Sequence, residues 1–356
     1  MNQGRLSSDN LFFESRLLSD SVEVGVENAF QKVFITGGAG FIGANLVKYL
    51  LDRGGFDITV YDDLSSGSRT NLNRAINDSK QKGNVELIEG NILDSDRLNT
   101  AVKDHKTVIH LAANTNVVES LKSPEKNFSV NVTGTFNVFV AARKNEVKRV
   151  VFASSNAAVG EQKPPINEKV LPEPISPYGA GKLCGEALCS AYYHSYGLEA
   201  VRLRFSNAYG PYSTHKTSVV VKFIKRVKQG KALDIYGDGN QTRDFVHAFD
   251  ICQAIYLVTS RDPAKLNAAR TPASMTFQIA SGEETRIKDL AKMVSGLGVS
   301  THHTASGIRY SNPRKGEIRR NFSDIARARQ SLNYNPAIRL KQGLAMTWEW
   351  FNGRKR

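Results

Sequence analysis

The stretch KVFITGGAGFIG, residues 32–43, decides the fold. Its first half is rich in β-branched and aromatic residues and reads as a short buried strand. Gly37, Gly40 and Gly43 follow, and an apolar helical pattern opens at Phe41 or Ile42. Glycines at this spacing permit a tight turn, a close approach of backbone to ligand, and close helix packing. The open N–H groups at the helix start then favour an anion such as a pyrophosphate.

A glycine triplet also serves an ordinary strand-to-helix turn, so the next strand matters. It ends in VYDD (60–63), which puts Asp62 about twenty residues beyond the last glycine. There a carboxylate accepts hydrogen bonds from an adenosine ribose, and it repels a 2′-phosphate, which favours NAD over NADP. GNIL (90–93) closes the third strand, where Asn91 either meets the adenine amino group or is a plain turn residue.

Working outward, KVFITG, DITVYDD, NVELIEGN, TVIHLAA, KRVVFASS and LEAVRLRFSN read as strands separated by helical stretches. Such alternation predicts an α/β fold, a doubly wound parallel Rossmann sheet covered on both faces, with a smaller C-terminal substrate-binding lobe. The division expected is an N-terminal extension over 1–30, a dinucleotide-binding domain over 31–206 with 241–267 returning to it, and the lobe from 207–240 and 268–356.

The chain has 356 residues, 40% of them hydrophobic, enough for one large core or two moderate ones. No apolar run approaches the roughly 20 residues of a membrane span, and the first residues lack a basic-then-apolar leader, so a cytoplasmic protein is expected. Cys184, Cys189 and Cys252 have neither pairing number nor metal spacing and read as reduced packing residues. No metal is expected. The net charge of +14 is spread over separate runs such as 144–149, 222–231 and 314–320. It reads as solvated surface with a few residues meeting phosphate rather than as a nucleic-acid groove.

A second motif, SPYGAGKLCGE (176–186), sets Tyr178 and Lys182 four apart on one face of a helix starting at Pro177. A nearby ammonium favours the phenolate and suits tyrosine to general base work. About twenty residues upstream, FASSNAAVG (152–160) carries Ser155 at a strand end.

Together TGGAGFIG, Asp62, HLAA, Ser155, Tyr178 with Lys182, and RDF resemble the extended short-chain dehydrogenases/reductases, in their NAD-dependent nucleotide-sugar epimerase/dehydratase branch. The resemblance implies catalytic roles for Ser155, Tyr178 and Lys182. On the cofactor side it implies Gly37, Gly40, Phe41, Ile42, Gly43, Asp62, Asn91, Ile92, Ala112, Asn131 and Phe205, together with Tyr178 and Lys182. For a UDP-sugar it implies Ser155, Asn207, Val220, Arg243, Arg314, Glu317 and Asn321. Each arginine is a pyrophosphate clamp or else a surface ion pair. A homodimer, and no nucleic-acid or membrane partner, is the matching expectation.

The family's 4,6-dehydratases carry an Asp-Glu pair just after the catalytic hydroxyl, where this chain has Asn156 and Ala157. Neither exchanges a proton near neutrality. The expected reaction is therefore inversion of C4 of a UDP-hexose through a 4-keto sugar. Asn321 replaces a bulky tyrosine near the sugar C2 and implies room for an acetamido group, unless its segment bends and it faces solvent. Two alternatives stay open: a 4-keto-sugar reductase, and a catalytically silent nucleotide- or RNA-binding relative. Val159 stands where the family usually has tyrosine. The loop after Pro211 lacks the arginine that uronate epimerases place there, with Lys216 as the one substitute, so a uronic acid is the less expected substrate.

Overall fold

The computed structural model describes residues 30–261, 271, 275–299, 301, 303, 305–313 and 318–353. Gln31–Arg356 form one compact unit and Met1–Phe30 another, so the expected extension lies outside the described residues except for Phe30.

The first half alternates strand and helix: β1 (Gln31–Thr36), α1 (Phe41–Arg53), β2 (Phe56–Asp62), α2 (Arg69–Asn77), β3 (Val85–Glu89), α3 (Ser95–Val102) and β4 (Thr107–His110). Next come α4 (Val117–Lys122), α5 (Pro124–Phe128), a π-helical turn (Ser129–Gly134), α6 (Thr135–Lys144), β5 (Arg149–Ser155), α7 (Pro177–Tyr196) and β6 (Glu199–Phe205). The rest comprises β7 (Asn207–Tyr209), α8 (Val219–Lys228), β8 (Leu233–Tyr236), β9 (Thr242–Arg243), β10 (Phe245–His247) and α9 (Ala248–Ser260). It ends with β11 (Thr276–Ile279), β12 (Thr285–Arg286), α10 (Ile287–Val299), β13 (Ile308–Ser311), α11 (Ala326–Leu332) and α12 (Leu340–Phe351).

Seven strands form the central sheet in the order β11-β6-β5-β4-β1-β2-β3, all parallel. The chain reverses direction of travel between β1 and β4, and open α/β sheets bind ligands at the carboxyl ends of the strands at such a point. Alternation along each strand builds the two layers. Val33, Ile35, Val201 and Leu203 pack with Leu46, Leu50, Ile251 and Ile255 of α1 and α9 on one face. Phe34, Phe152 and Ala200 pack with Leu98, Phe139 and Cys189 of α3, α6 and α7 on the other. A third cluster makes the smaller lobe, in which Phe223, Ile224, Leu233, Leu290, Val294 and Trp348 join α8, β8, α10 and α12.

One boundary needs correction. Thr276–Ile279, expected within the lobe, is the seventh strand of the main sheet and pairs with β6. Its four-residue run is too short to show a period. Its outer edge is closed by side chains, since Glu168 Oε1 accepts from the Gln278 N–H at 2.8 Å and Arg327 donates to the Thr276 carbonyl at 3.4 Å. The three cysteines are unpaired, with Cys189 and Cys252 buried. Among the described residues no helix is long and apolar enough to cross a membrane, and no cluster of His, Cys, Asp and Glu has metal-binding form.

Candidate active site

The glycine turn leaves no room for side chains. Gly37 has φ 72°, and a Cβ there would lie 2.6 Å from the Ala112 nitrogen; one on Gly43 would lie 2.3 Å from the Gly37 carbonyl oxygen. Helix α1 starts at Phe41 from Gly40, which has no side chain to cap it, so the N–H groups of Phe41 and Ile42 stay open to an anion. Asp62 is buried at the end of β2, where Oδ2 accepts from the Ala39 N–H at 2.9 Å and Oδ1 from the Leu64 N–H at 2.9 Å. Burial raises its pKa, opposed by these two bonds. Each oxygen keeps a second acceptor site, which suits a ribose diol. These features fit a dinucleotide.

Other cofactor-side residues line up less directly. Ile92 packs into the core, against the space a Cβ on Gly134 would need. Asn91 is exposed, and its Oδ1 accepts from the Leu93 N–H at 2.8 Å, the turn arrangement. Asn131 sits in the π-helical turn, its amide bonded on both ends to the Asn114 backbone at 2.8 Å and 2.9 Å. It shapes the crevice by fixing the segment after β4. Beneath, His110 joins Thr36 and Thr135 at 2.7 Å and 3.0 Å. Burial and the Lys182 ammonium push its pKa down to about 3, so it stays neutral. Phe205 closes the end of β6, partly buried.

Ser155, Tyr178 and Lys182 come together where β5 and α7 meet. Helix α7 begins at Pro177 because Ser176 caps it, its Oγ accepting from the Gly179 N–H at 3.1 Å. The Ser155 hydroxyl hydrogen-bonds the Tyr178 phenol. Ser155 Oγ also accepts from the Ala157 N–H at 3.1 Å, which leaves its own proton free to donate. Tyr178 is buried, which raises its pKa, and the Ser155 bond opposes that rise. Lys182 donates to the Ala153 carbonyl at 2.8 Å, and burial pushes its pKa down to about 7.

Asn156 answers for the missing acids. Its Nδ2 donates to Ser206 Oγ and Ser323 Oγ, both at 2.8 Å, and reaches Asn321 Oδ1 at 3.5 Å. A neutral amide thus pins the ends of β5 and β6 to the segment carrying Asn321. Asn321 is 7% exposed, so it does not face solvent. Sequence reading missed Asp244, which collects the N–H groups of Ser281, Gly282 and Ser323 and so fixes that same segment.

On the lobe side Asn207 is exposed, and Arg243 donates to the Ile318 carbonyl at 2.8 Å. Val220 is 1% exposed and packs in the lobe core, which corrects the expectation that it meets substrate. Val159 is likewise core. Arg314 and Glu317 lie outside the described residues.

A family model described as GDP-mannose 4,6 dehydratase matches residues 34–347. The UDP-glucose 4-epimerase of Mycolicibacterium smegmatis is 34% identical over 328 residues, which cover 91% of this chain and 99% of that protein. Two solved structures share the fold. The UDP-N-acetylglucosamine 4-epimerase from Methanobrevibacter ruminantium M1, in complex with UDP-N-acetylmuramic acid, has a TM-score of 0.81 and 30% identity over 91% of this chain and 99% of that one. The UDP-glucose 4-epimerase of Thermus thermophilus, in complex with NAD, has a TM-score of 0.79 and 28% identity over 91% and 99%.

Proposed function

The chain belongs to the GDP-mannose 4,6 dehydratase family of extended short-chain dehydrogenases/reductases, and within it we propose an NAD-dependent UDP-sugar 4-epimerase. The observation that carries this reading is the Ser155, Tyr178 and Lys182 set flanked by neutral Asn156 and Ala157. Gly37, Gly43, the start of α1 and Asp62 would hold NAD. When bound, it supplies a two-electron acceptor and donor at the sugar C4.

Tyr178 takes the proton from the 4-hydroxyl and later returns it, with the Ser155 hydroxyl hydrogen-bonded between the phenol and the sugar oxygen. Lys182, one helical turn beyond Tyr178 and bonded to the Ala153 carbonyl, would hold the nicotinamide ribose. Asn207 and Arg243 hold the nucleotide end, so the sugar can turn over without leaving. Elimination of water from C5 and C6 lacks an acid at 156 and 157. A panel of UDP-hexoses, with products identified by NMR, tests the reading; an untouched panel would refute it.

Asn321 extends it to the C2 substituent. It lies buried beside Asn156, and as the smaller counterpart of the family's tyrosine it would admit an acetamido group and hydrogen-bond it. Asn321→Tyr should lower the ratio of kcat/KM for UDP-N-acetylglucosamine over UDP-glucose by about tenfold or more. An unchanged ratio removes Asn321 from the pocket wall.

A homodimer is part of the proposal. Val117, Val118, Leu121, Phe128, Phe136 and Tyr196 are exposed on α4 to α7, an apolar face suited to a second copy. Sedimentation should give a dimer for the wild type and a monomer for Phe136→Glu. A monomeric wild type would sink the dimer.

A further inference from the structure

A fourth apolar cluster lies apart from the three cores and draws on four stretches of chain. Ala44 of α1 and Ala75 of α2 come from the dinucleotide-binding half, Tyr212 comes from the segment that joins β7 to α8, and Trp350 of α12 packs against them. The Tyr212 and Trp350 rings meet edge to face with centroids 5.2 Å apart, and the Arg74 guanidinium lies 4.6 Å over the Trp350 ring. Hydrogen bonds tie the same place. The Tyr212 hydroxyl donates to Asp78 Oδ2, just past α2, at 3.0 Å. Asn45 Nδ2 donates to the Phe41 carbonyl at 2.8 Å and to the Pro211 carbonyl at 3.0 Å, so the first turn of α1 is bonded to the segment after β7. Tyr212 has φ 59°, a left-handed conformation that a tyrosine keeps only when its surroundings impose it. Its phenol stays protonated and able to donate, because burial and the Asp78 carboxylate both push its pKa up.

The lobe is thus held on both sides of the crevice between β1 and β4. On the β5 and β6 side, Asn156 grips Ser323 and reaches Asn321. On the β1 and β2 side, Tyr212 and Asn45 fasten it to α1 and α2. The second hold reaches the site through a short run of backbone. Asn207, on the substrate side, opens β7; Tyr209 closes it within the lobe core; and Pro211 and Tyr212 follow at once. A shift at Tyr212 is therefore passed to Asn207 across five residues.

We propose that Tyr212 and Asn45 are positioning residues that hold the lobe against the cofactor half and so set the affinity for the nucleotide sugar. This rests on the nucleotide-sugar reading of the site. Neither residue touches the substrate; both act through the backbone that carries Asn207.

The test combines calorimetric titration of the NAD-loaded enzyme with UDP and steady-state kinetics on UDP-glucose or UDP-N-acetylglucosamine, whichever the wild type turns over faster. Tyr212→Phe keeps the ring and removes only the bond to Asp78. It should weaken UDP binding and raise KM by about fivefold or more while kcat stays within about threefold, as loss of a charge-assisted bond that acts on binding alone would do. Asn45→Ala should move both quantities the same way. Asp78→Asn keeps an oxygen to accept from the phenol and should stay within about twofold of the wild type. A tie that served stability alone would lower the melting temperature or the active fraction, and hence kcat, and leave KM and UDP affinity unmoved. KM and UDP affinity within about twofold of the wild type for Tyr212→Phe overturn the proposal, as does Asp78→Asn impaired as much as Tyr212→Phe. Should Tyr212→Phe fail to fold, Asp78→Ala removes the acceptor from a half-buried position and should give the same rise in KM; an unchanged KM there overturns the proposal. A wild type that neither binds UDP nor turns over a UDP-hexose overturns the nucleotide-sugar reading itself, and the proposal with it.

Discussion

Tyr178→Phe should lower turnover by about 10²-fold or more while leaving the fold and the bound cofactor in place. In the proposed mechanism the phenolic oxygen is the base that exchanges a proton with O4, while Lys182 is turned to the Ala153 carbonyl. The ring fills the same buried space without its hydroxyl, so packing is unchanged and only the bond to Ser155 is lost. Steady-state rates beside NAD content and melting temperature check this. Near wild-type turnover would remove Tyr178 from the chemistry.

Arg204→Met should destabilise the protein by about 3–5 kcal/mol. Arg204 on β6 and Glu186 on α7 form a buried bidentate pair, with Nε to Oε1 at 2.8 Å and Nη2 to Oε2 at 2.7 Å. Glu186 Oε1 also accepts from Ser154 Oγ at 2.5 Å, next to Ser155. Removing the guanidinium leaves the buried carboxylate with only the Ser154 bond and the more distant Arg202 charge, and the melting temperature should fall on the order of 10 °C. The double variant Glu186→Met with Arg204→Met should recover much of that loss. A single variant that melts within about 2 °C of the wild type would show that the pair is already solvated.

What could be read from the sequence was what short-range rules encode. The glycine turn was legible because only glycine tolerates φ 72° at Gly37 and the contact at Gly43. Tyr178 and Lys182 were legible because four residues bring side chains onto one helix face. Long-range partners were not. Nothing near Asn156 announces Ser206 and Ser323, the latter 167 residues away. Arg202 and Arg204 alternate with Val201 and Leu203 like the wet face of a half-exposed strand, although both arginines are buried under α7. Thr276–Ile279 is too short to display the period that marks a strand.

The central claim is that the hydrogen at C4 is taken off and returned within one binding event, with no water eliminated. UDP-glucose and UDP-N-acetylglucosamine carrying deuterium at C4, incubated with the purified enzyme and no added cofactor, test it most directly by NMR. The account predicts the matching galacto-configured UDP-sugar with deuterium retained at C4. A 6-deoxy-4-keto product, or conversion that depends on added reduced nicotinamide cofactor and loses the label, would contradict it.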